Sequence, residues 1–269
     1  MTQTIFITGA STGLGRASAR LFAARGWKVI ATMRDPSRET ELGRIPGVHV
    51  MPLDVTDLAG ITQTAQEALA LGPVDVVFNN AGYGLAGAFE GASDEQLQTQ
   101  INTNLLGVMR VTQAFLPALR ERKSGMILTT TSIGGLVTFP FNSVYHATKW
   151  ALEGWSESLA YELAPFGIRV RTLAPGGIAT DFASRSLVMT PHPAYAEAIG
   201  RTMRTFTDPA RRASLSSAEM IAEEALAAVT DTGERVTCIA GDDARATFAL
   251  RQSAGVEAFR KTIAARFLG

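Results

Sequence analysis

The chain has 269 residues, 46% of them hydrophobic and 19% charged, enough to bury one large core. Its 25 basic residues balance 25 acidic ones, so the net charge is zero, which argues against nucleic acid and anionic membrane surfaces as partners. One cysteine, Cys238, cannot form an internal disulfide, and with three histidines it leaves little from which to build a zinc site, so a reducing, cytoplasmic setting is expected. Residues 1–8 carry no basic leader, and no apolar run approaches the ~20 residues of a bilayer span, so a soluble, unprocessed chain is expected.

Short β-branched runs alternate with longer stretches of helical periodicity, the pattern of a parallel sheet covered by helices on both faces. The periodicity predicts seven strands, over residues 4–7, 28–33, 48–53, 74–78, 126–131, 169–174 and 236–240. Between and after them it predicts helices over 14–25, 60–71, 95–122, 145–165, 218–229 and 244–267. The predicted fold is α/β, a doubly wound Rossmann fold in one domain over residues 1–269, because no linker, repeat or low-complexity stretch divides the chain. Residues 182–217 break the alternation, mixing Pro191, Pro193 and Pro209 with apolar residues. An insertion there lies over the carboxyl ends of the strands, which makes it the candidate substrate lid.

The first strand leads at once into Thr8-Gly9-Ala10-Ser11-Thr12-Gly13-Leu14-Gly15-Arg16 and a helix, the order a dinucleotide site requires. Gly9 permits the tight turn, Gly13 lets backbone approach a pyrophosphate, Gly15 lets the helix pack on the sheet, and the helix N-terminus offers free N–H groups to an anion. Gly9-Ala10-Ser11-Thr12-Gly13 also matches the G-x-S-x-G elbow of serine hydrolases, but too little chain precedes it for the loop that completes their oxyanion hole. A P-loop is excluded by the missing Gly-Lys-Ser/Thr ending. The second strand ends Met33-Arg34-Asp35, which sets Arg34 where an adenosine ribose would lie. A guanidinium there suits a 2′-phosphate, and Met33 offers no carboxylate to ribose hydroxyls. The plainer alternative for Arg34 is a solvated loop charge, and Arg16 and Asp35 are near enough in sequence to take part. Asp54, after the third strand, is either an adenine contact or the N-cap of the next helix.

Tyr145-His146-Ala147-Thr148-Lys149 sets a phenol and an ammonium four residues apart, on one face of a helix. Lowering a phenol pKa by ~3 units takes ~4 kcal/mol of preference for the phenolate, which Lys149 and an oxidised nicotinamide can supply. A buried Tyr beside a snorkelling Lys is the bland reading of the same pair. Ser132 closes the polar run Thr129-Thr130-Thr131-Ser132 at a strand's carboxyl end, placed to hold a substrate oxygen. An ordinary turn is the alternative there, and Thr131 is the neighbouring candidate.

Together these residues resemble the short-chain dehydrogenase/reductase family in its single-domain branch. The family's TGxxxGxG turn appears as Thr8, Gly9, Gly13 and Gly15, and its NNAG stretch as Asn79-Asn80-Ala81-Gly82. Its helix asparagine matches Asn104, its catalytic serine Ser132, its YxxxK pair Tyr145 and Lys149, and its PG motif Pro175-Gly176. The resemblance implies hydride transfer between NADP(H) and an alcohol or carbonyl compound, with Tyr145 as general acid/base and Ser132 holding the reacting oxygen. Lys149 would lower the Tyr145 pKa and bind the nicotinamide ribose, Asn104 would position a water between Lys149 and solvent, and Thr180 would meet the carboxamide. The implied cofactor contacts are Gly9, Ser11, Thr12, Gly13, Leu14, Gly15, Arg34, Asp54, Val55, Asn80, Ala81, Gly82, Tyr145, Lys149, Pro175, Gly176, Ile178 and Thr180, with no metal.

The carboxyl-terminal run 235–243 lacks the DGG-like ending of many tetrameric bacterial members and continues into a helix, as in the hydroxysteroid- and retinol-dehydrogenase-like subgroup. A homodimer through the helices bearing Asn104 and Tyr145 is the expected assembly. Tyr83, Leu85, Val137, Phe139, Phe141, Phe182, Leu187, Val188 and Met189 are expected around the substrate, an apolar set that favours an apolar alcohol, ketone or aldehyde over a sugar or charged acid. Two other classes use fewer of these residues. A nucleotide-binding regulator needs the glycines but not Ser132, Tyr145 and Lys149 together, and a serine hydrolase would rely on Ser11.

Overall fold

The computed structural model describes residues 2–180 and 186–269. The first half runs β1 (Thr4–Ile7), α1 (Gly13–Ala24), β2 (Lys28–Met33), β3 (Val48–Pro52), α2 (Leu58–Ala70), β4 (Val76–Asn79), β5 (Gly84–Gly87), α3 (Asp94–Ile101), α4 (Gly107–Arg122) and β6 (Gly125–Thr130). The second half runs α5 (Ser143–Leu163), β7 (Ile168–Pro175), β8 (Leu187–Thr190), α6 (Ala196–Thr207), α7 (Pro209–Ala213), α8 (Ala218–Thr230), β9 (Thr237–Ala240) and α9 (Asp242–Leu268).

Seven strands form one parallel sheet in the order β3-β2-β1-β4-β6-β7-β9. Parallel strands covered on both faces need apolar residues on both, and β1, Thr-Ile-Phe-Ile, is buried throughout. On one side Ile5 and Ile7 pack with Leu14 and Phe22 of α1 and Ile221 and Leu226 of α8. On the other, Phe6 and Ile127 pack with Ile61 of α2, Phe115 of α4 and Leu159 of α5. From β1 the sheet grows first toward β2 and β3 and then the opposite way through β4, so connections diverge above β1 and β4 and open a crevice at their carboxyl ends.

Each predicted strand is present with its ends within two residues of expectation. The single helix predicted over 95–122 is instead α3 and α4 joined by a π-helical turn, Asn102–Leu106, which carries Asn104 into the interior. A two-stranded parallel sheet of β5 and β8 was not expected. Its Gly87 has φ of +129°, and a Cβ there would stand 2.3 Å from the Thr190 carbonyl oxygen, so only glycine permits the pairing. The candidate lid therefore contains a strand, β8, followed by α6 and α7; its residues 182–185, including Phe182, lie outside the described residues. α9 bends at Gly255, and its second half lays Phe259, Ile263 and Phe267 against Ile133 and Val137, just past Ser132. No helix among the described residues is long and apolar enough to cross a membrane.

Candidate active site

The glycine turn sits in the crevice as its sequence requires. Gly9 has φ of +69°, and a Cβ on it would lie 2.8 Å from Ala81 Cα; a Cβ on Gly15 would lie 2.3 Å from the Gly9 carbonyl oxygen. The Thr8 hydroxyl accepts hydrogen bonds from the backbone N–H groups of Asn80 and Ala81, at 2.9 and 3.0 Å. Asn80 Nδ2 donates in return to the carbonyls of Thr8 and Gly9. Thr12, the N-cap of α1, makes no side-chain capping bond, and the first turn holds no acidic residue. The N–H groups and positive end of α1 are thus left to an anion, which fits a pyrophosphate. Ser11 and Thr12 are exposed at this turn, and Leu14 is buried under it.

Arg34, at the end of β2, is exposed and forms no ion pair with any described residue. Its two sequence neighbours are accounted for. Arg16 binds Glu39 at 2.6 Å, and Asp35 Oδ1 accepts from the Ser37 N–H and hydroxyl. Burial pushes the Glu39 carboxyl up, but N–H bonds from Leu42 and Glu41 and the Arg16 guanidinium bring it below its ordinary value. Arg16 is thereby neutralised, while Arg34 and, four residues on, Arg38 stay exposed with no ion pair among the described residues.

At the other edge of the crevice, Tyr145 and Lys149 project from α5, and Ser132 from the turn after β6. Burial holds the Tyr145 phenol above its ordinary pKa, and the Ser132 hydroxyl pulls it partly back. Lys149 Nζ lies 5.7 Å from the Tyr145 ring centroid and donates to the Thr130 carbonyl at 2.8 Å. Burial pushes the Lys149 ammonium down to about 8 against an opposing pull from Glu153. Thr131 turns away, its hydroxyl donating to Glu153, so the serine and not the threonine faces Tyr145. The Asn104 side chain is spent on the Tyr83 backbone, accepting from its N–H at 3.0 Å and donating to its carbonyl at 2.8 Å. The amide fixes the loop behind Gly82.

His146 was given no role by the sequence, yet it ties the Ser132 turn to α5. Its Nδ1 bonds the Gly134 carbonyl at 2.6 Å and its Nε2 accepts from the Phe139 N–H at 2.9 Å, a pattern only the neutral ring satisfies. Gly134 N–H in turn donates to Ser132 Oγ at 3.0 Å. Burial pushes the His146 pKa below the free value of 6.5 although the Gly134 carbonyl pulls the other way. The unfolded chain therefore takes up the proton first, so the stability His146 contributes is whole above pH 6.5 and drains away as pH falls through the folded value. Melting temperatures measured from pH 7.5 to 5 are expected to fall more steeply for the wild type than for His146→Gln; parallel curves would show that the ring does not titrate this way.

Other predicted contacts fall into place unevenly. Gly13 faces Thr180, 3.7 Å from where its Cβ would be, and Ile178 bridges to Ser216 across the same rim. Gly176 N–H donates to the Ala240 carbonyl, carrying Pro175-Gly176 past the sheet edge, and Val55 is buried against Gly107. Asp54 is not the N-cap of α2: its carboxylate folds back on Thr56, and Asp57 caps the helix through the Ala59 N–H. Among the residues expected around the substrate, Leu85 and Val137 are core, and Phe139 packs against Phe206 and Phe267. Tyr83, Phe141, Leu187, Val188 and Met189 retain access to solvent. A cavity of about 400 Å³ between Phe141 and Trp150 holds neither Ser132 nor Tyr145 nor Lys149, so it is not where the reacting group sits.

A doubly wound sheet with an anion-ready glycine turn at its switch point is a dinucleotide-binding fold. The short chain dehydrogenase family profile matches residues 3–188. Oxidoreductase BOA17 of Botryotinia fuckeliana (strain B05.10) is 38% identical over 239 residues, spanning 87% of this chain and 86% of the relative. The 17-beta-hydroxysteroid dehydrogenase type 1 of Homo sapiens is 38% identical over 194 residues, 68% of this chain and 59% of the relative. A short-chain dehydrogenase from Streptomyces avermitilis superposes with a TM-score of 0.86 at 34% identity, with 94% of each chain covered. Two further solved structures carry nicotinamide cofactors. The 3-ketoacyl-(acyl-carrier-protein) reductase from Brucella melitensis is complexed with NADH (TM-score 0.75, 26% identity, 88% and 94% covered). The alcohol dehydrogenase from Thermococcus sibiricus is complexed with 5-hydroxy-NADP (TM-score 0.73, 28% identity, 90% and 97% covered). The chain belongs to the short-chain dehydrogenase/reductase family of oxidoreductases.

Proposed function

We propose that this protein, one domain over residues 1–269, is an NADP(H)-dependent oxidoreductase that moves a hydride between the nicotinamide and an apolar alcohol, ketone or aldehyde. The observation that carries the reading is the Lys149 ammonium 5.7 Å from the Tyr145 phenol ring, with Thr131 turned away to Glu153 and Ser132 left to act on the phenol, beside the glycine turn. The bound cofactor supplies the hydride donor or acceptor. In the reducing direction Ser132 holds the carbonyl oxygen and Tyr145 Oη gives it a proton as carbon gains the hydride, leaving an alcohol and a phenolate. The buried, protonated phenol is already in the form this step needs, and Lys149 stabilises the phenolate until solvent returns the proton. In oxidation the same groups act in reverse.

Arg34, charged and unpaired, supports a 2′-phosphate over a bare ribose and so NADP(H) over NAD(H). Tyr83, Phe141, Val188 and Met189 support an apolar substrate, and the similarity to a hydroxysteroid dehydrogenase points the same way. Exposed Ile101, Trp150 and Tyr161 on α3 and α5 support a homodimer through these helices. Fluorescence titration with NADPH and NADH, followed by turnover on a panel of steroid, long-chain and aryl ketones, tests the reading. NADPH is expected to bind at least tenfold tighter; binding of neither cofactor would end it.

A further inference from the structure

Along α5, Tyr145, Lys149 and Glu153 recur at four-residue spacing and share one face. Glu153 is the buried carboxylate that the reaction above leaves unused. Three strands meet it: Thr131, just past β6, donates its hydroxyl to Oε1, and Thr172 of β7 and Thr237 of β9 donate to Oε2 at 2.9 and 3.1 Å. Gly135, in the turn after Ser132, closes over the group, since a Cβ there would lie 2.8 Å from the Lys149 carbonyl and 3.1 Å from Glu153 Cγ. Lys149 forms no direct ion pair with Glu153 among the described residues; its Nζ is turned to the Thr130 carbonyl. The two charges thus act on each other across the protein interior without touching, where a field is screened less than in water.

We propose that Glu153 is a positioning residue of the reaction: an ionised carboxylate, clamped by three strands, that keeps the Lys149 ammonium charged and in place beside Tyr145. The proposal rests on the function given above, because only a phenolate needs that ammonium. Burial alone would drive each partner neutral, the carboxyl by holding its proton and the amine by losing one. Burial does push Glu153 up, and the three hydroxyls and Lys149 oppose it. The remaining titratable groups nearby do not replace it. Cys238, beside Thr237 on β9, is itself pushed up by burial and feels the Glu153 charge, whereas Arg171, beside Thr172 on β7, spends its guanidinium on Asp231 and the carbonyls of Ala228 and Gly233. On α5 the same face carries Tyr145, Lys149, His146, held as the neutral ring by Gly134 and Phe139, and Glu157, which is exposed.

The chain has four lysines, so the Lys149 ammonium can be titrated directly by NMR in full-length protein carrying ¹³C-labelled lysine, its signal identified by loss in Lys149→Arg. The wild-type midpoint is expected near pH 8, and that of Glu153→Gln about one unit lower or more, with the alkaline limb of the kcat/KM profile moving by the same amount. Glu153→Asp, which keeps the charge, should restore most of the midpoint even if Glu153→Gln folds poorly. A Lys149 midpoint equal in wild type and Glu153→Gln, or lowered equally by Asp and Gln, would overturn the proposal and leave Glu153 a packing residue. Absence of any turnover in the wild type would defeat the proposed reaction while the lysine titration still decides the counter-charge.

Discussion

Tyr145→Phe is expected to lower kcat by about 10³-fold or more while leaving the NADPH dissociation constant within about twofold. The substitution keeps the ring between His146 and Lys149 and removes only the hydroxyl. The packing of the ring is kept, so the loss reports chemistry and not unfolding. Stopped-flow hydride transfer under single-turnover conditions measures it free of product release. A variant retaining activity within tenfold of wild type would show that another group moves the proton.

Arg34→Ala is expected to weaken NADPH by about 30- to 150-fold and NADH by less than about threefold, the difference being ~2–3 kcal/mol for charge-assisted bonds to one phosphate. The size of the effect assumes that Arg16, tied to Glu39, does not take over the lost charge, and Arg34→Ala/Arg38→Ala measured beside it separates any contribution of Arg38. Raised ionic strength should shrink the gap between the two cofactors in the wild type and barely alter it in the variant. Equal losses for NADPH and NADH would mean that Arg34 serves the turn and not the phosphate.

The sheet was legible because its central strands, such as β1 and β4, are buried throughout and therefore read as β-branched, apolar runs. Ser132, Tyr145 and Lys149 were legible because their chemistry depends on spacing within one helix and its approaching turn. Gly84-Leu85-Ala86-Gly87 was not legible as a strand, having no β-branched residue; its geometry comes from a partner far along the chain. The π turn was hidden for a different reason, since one widened turn leaves the apolar spacing on either side intact. Glu153 could have been found by continuing the four-residue step past Lys149, but its meaning lies in hydroxyls from three separate strands. His146 likewise gains its place from two backbone groups in a loop whose path no local pattern encodes.

The four hydrogen bonds between Thr8–Gly9 and Asn80–Ala81 close inside the protein, with no ligand as partner. The two loops flanking the crevice are therefore ordered by folding itself, and their conformational entropy is surrendered before any nucleotide arrives. Association then immobilises chiefly the incoming molecule, and its rate follows diffusion into a finished shape more than loop rearrangement. The coupling also runs backward. A lesion at Thr8 would loosen a loop 72 positions away, and weakened nucleotide binding would follow without the loss of any atom that touches the nucleotide.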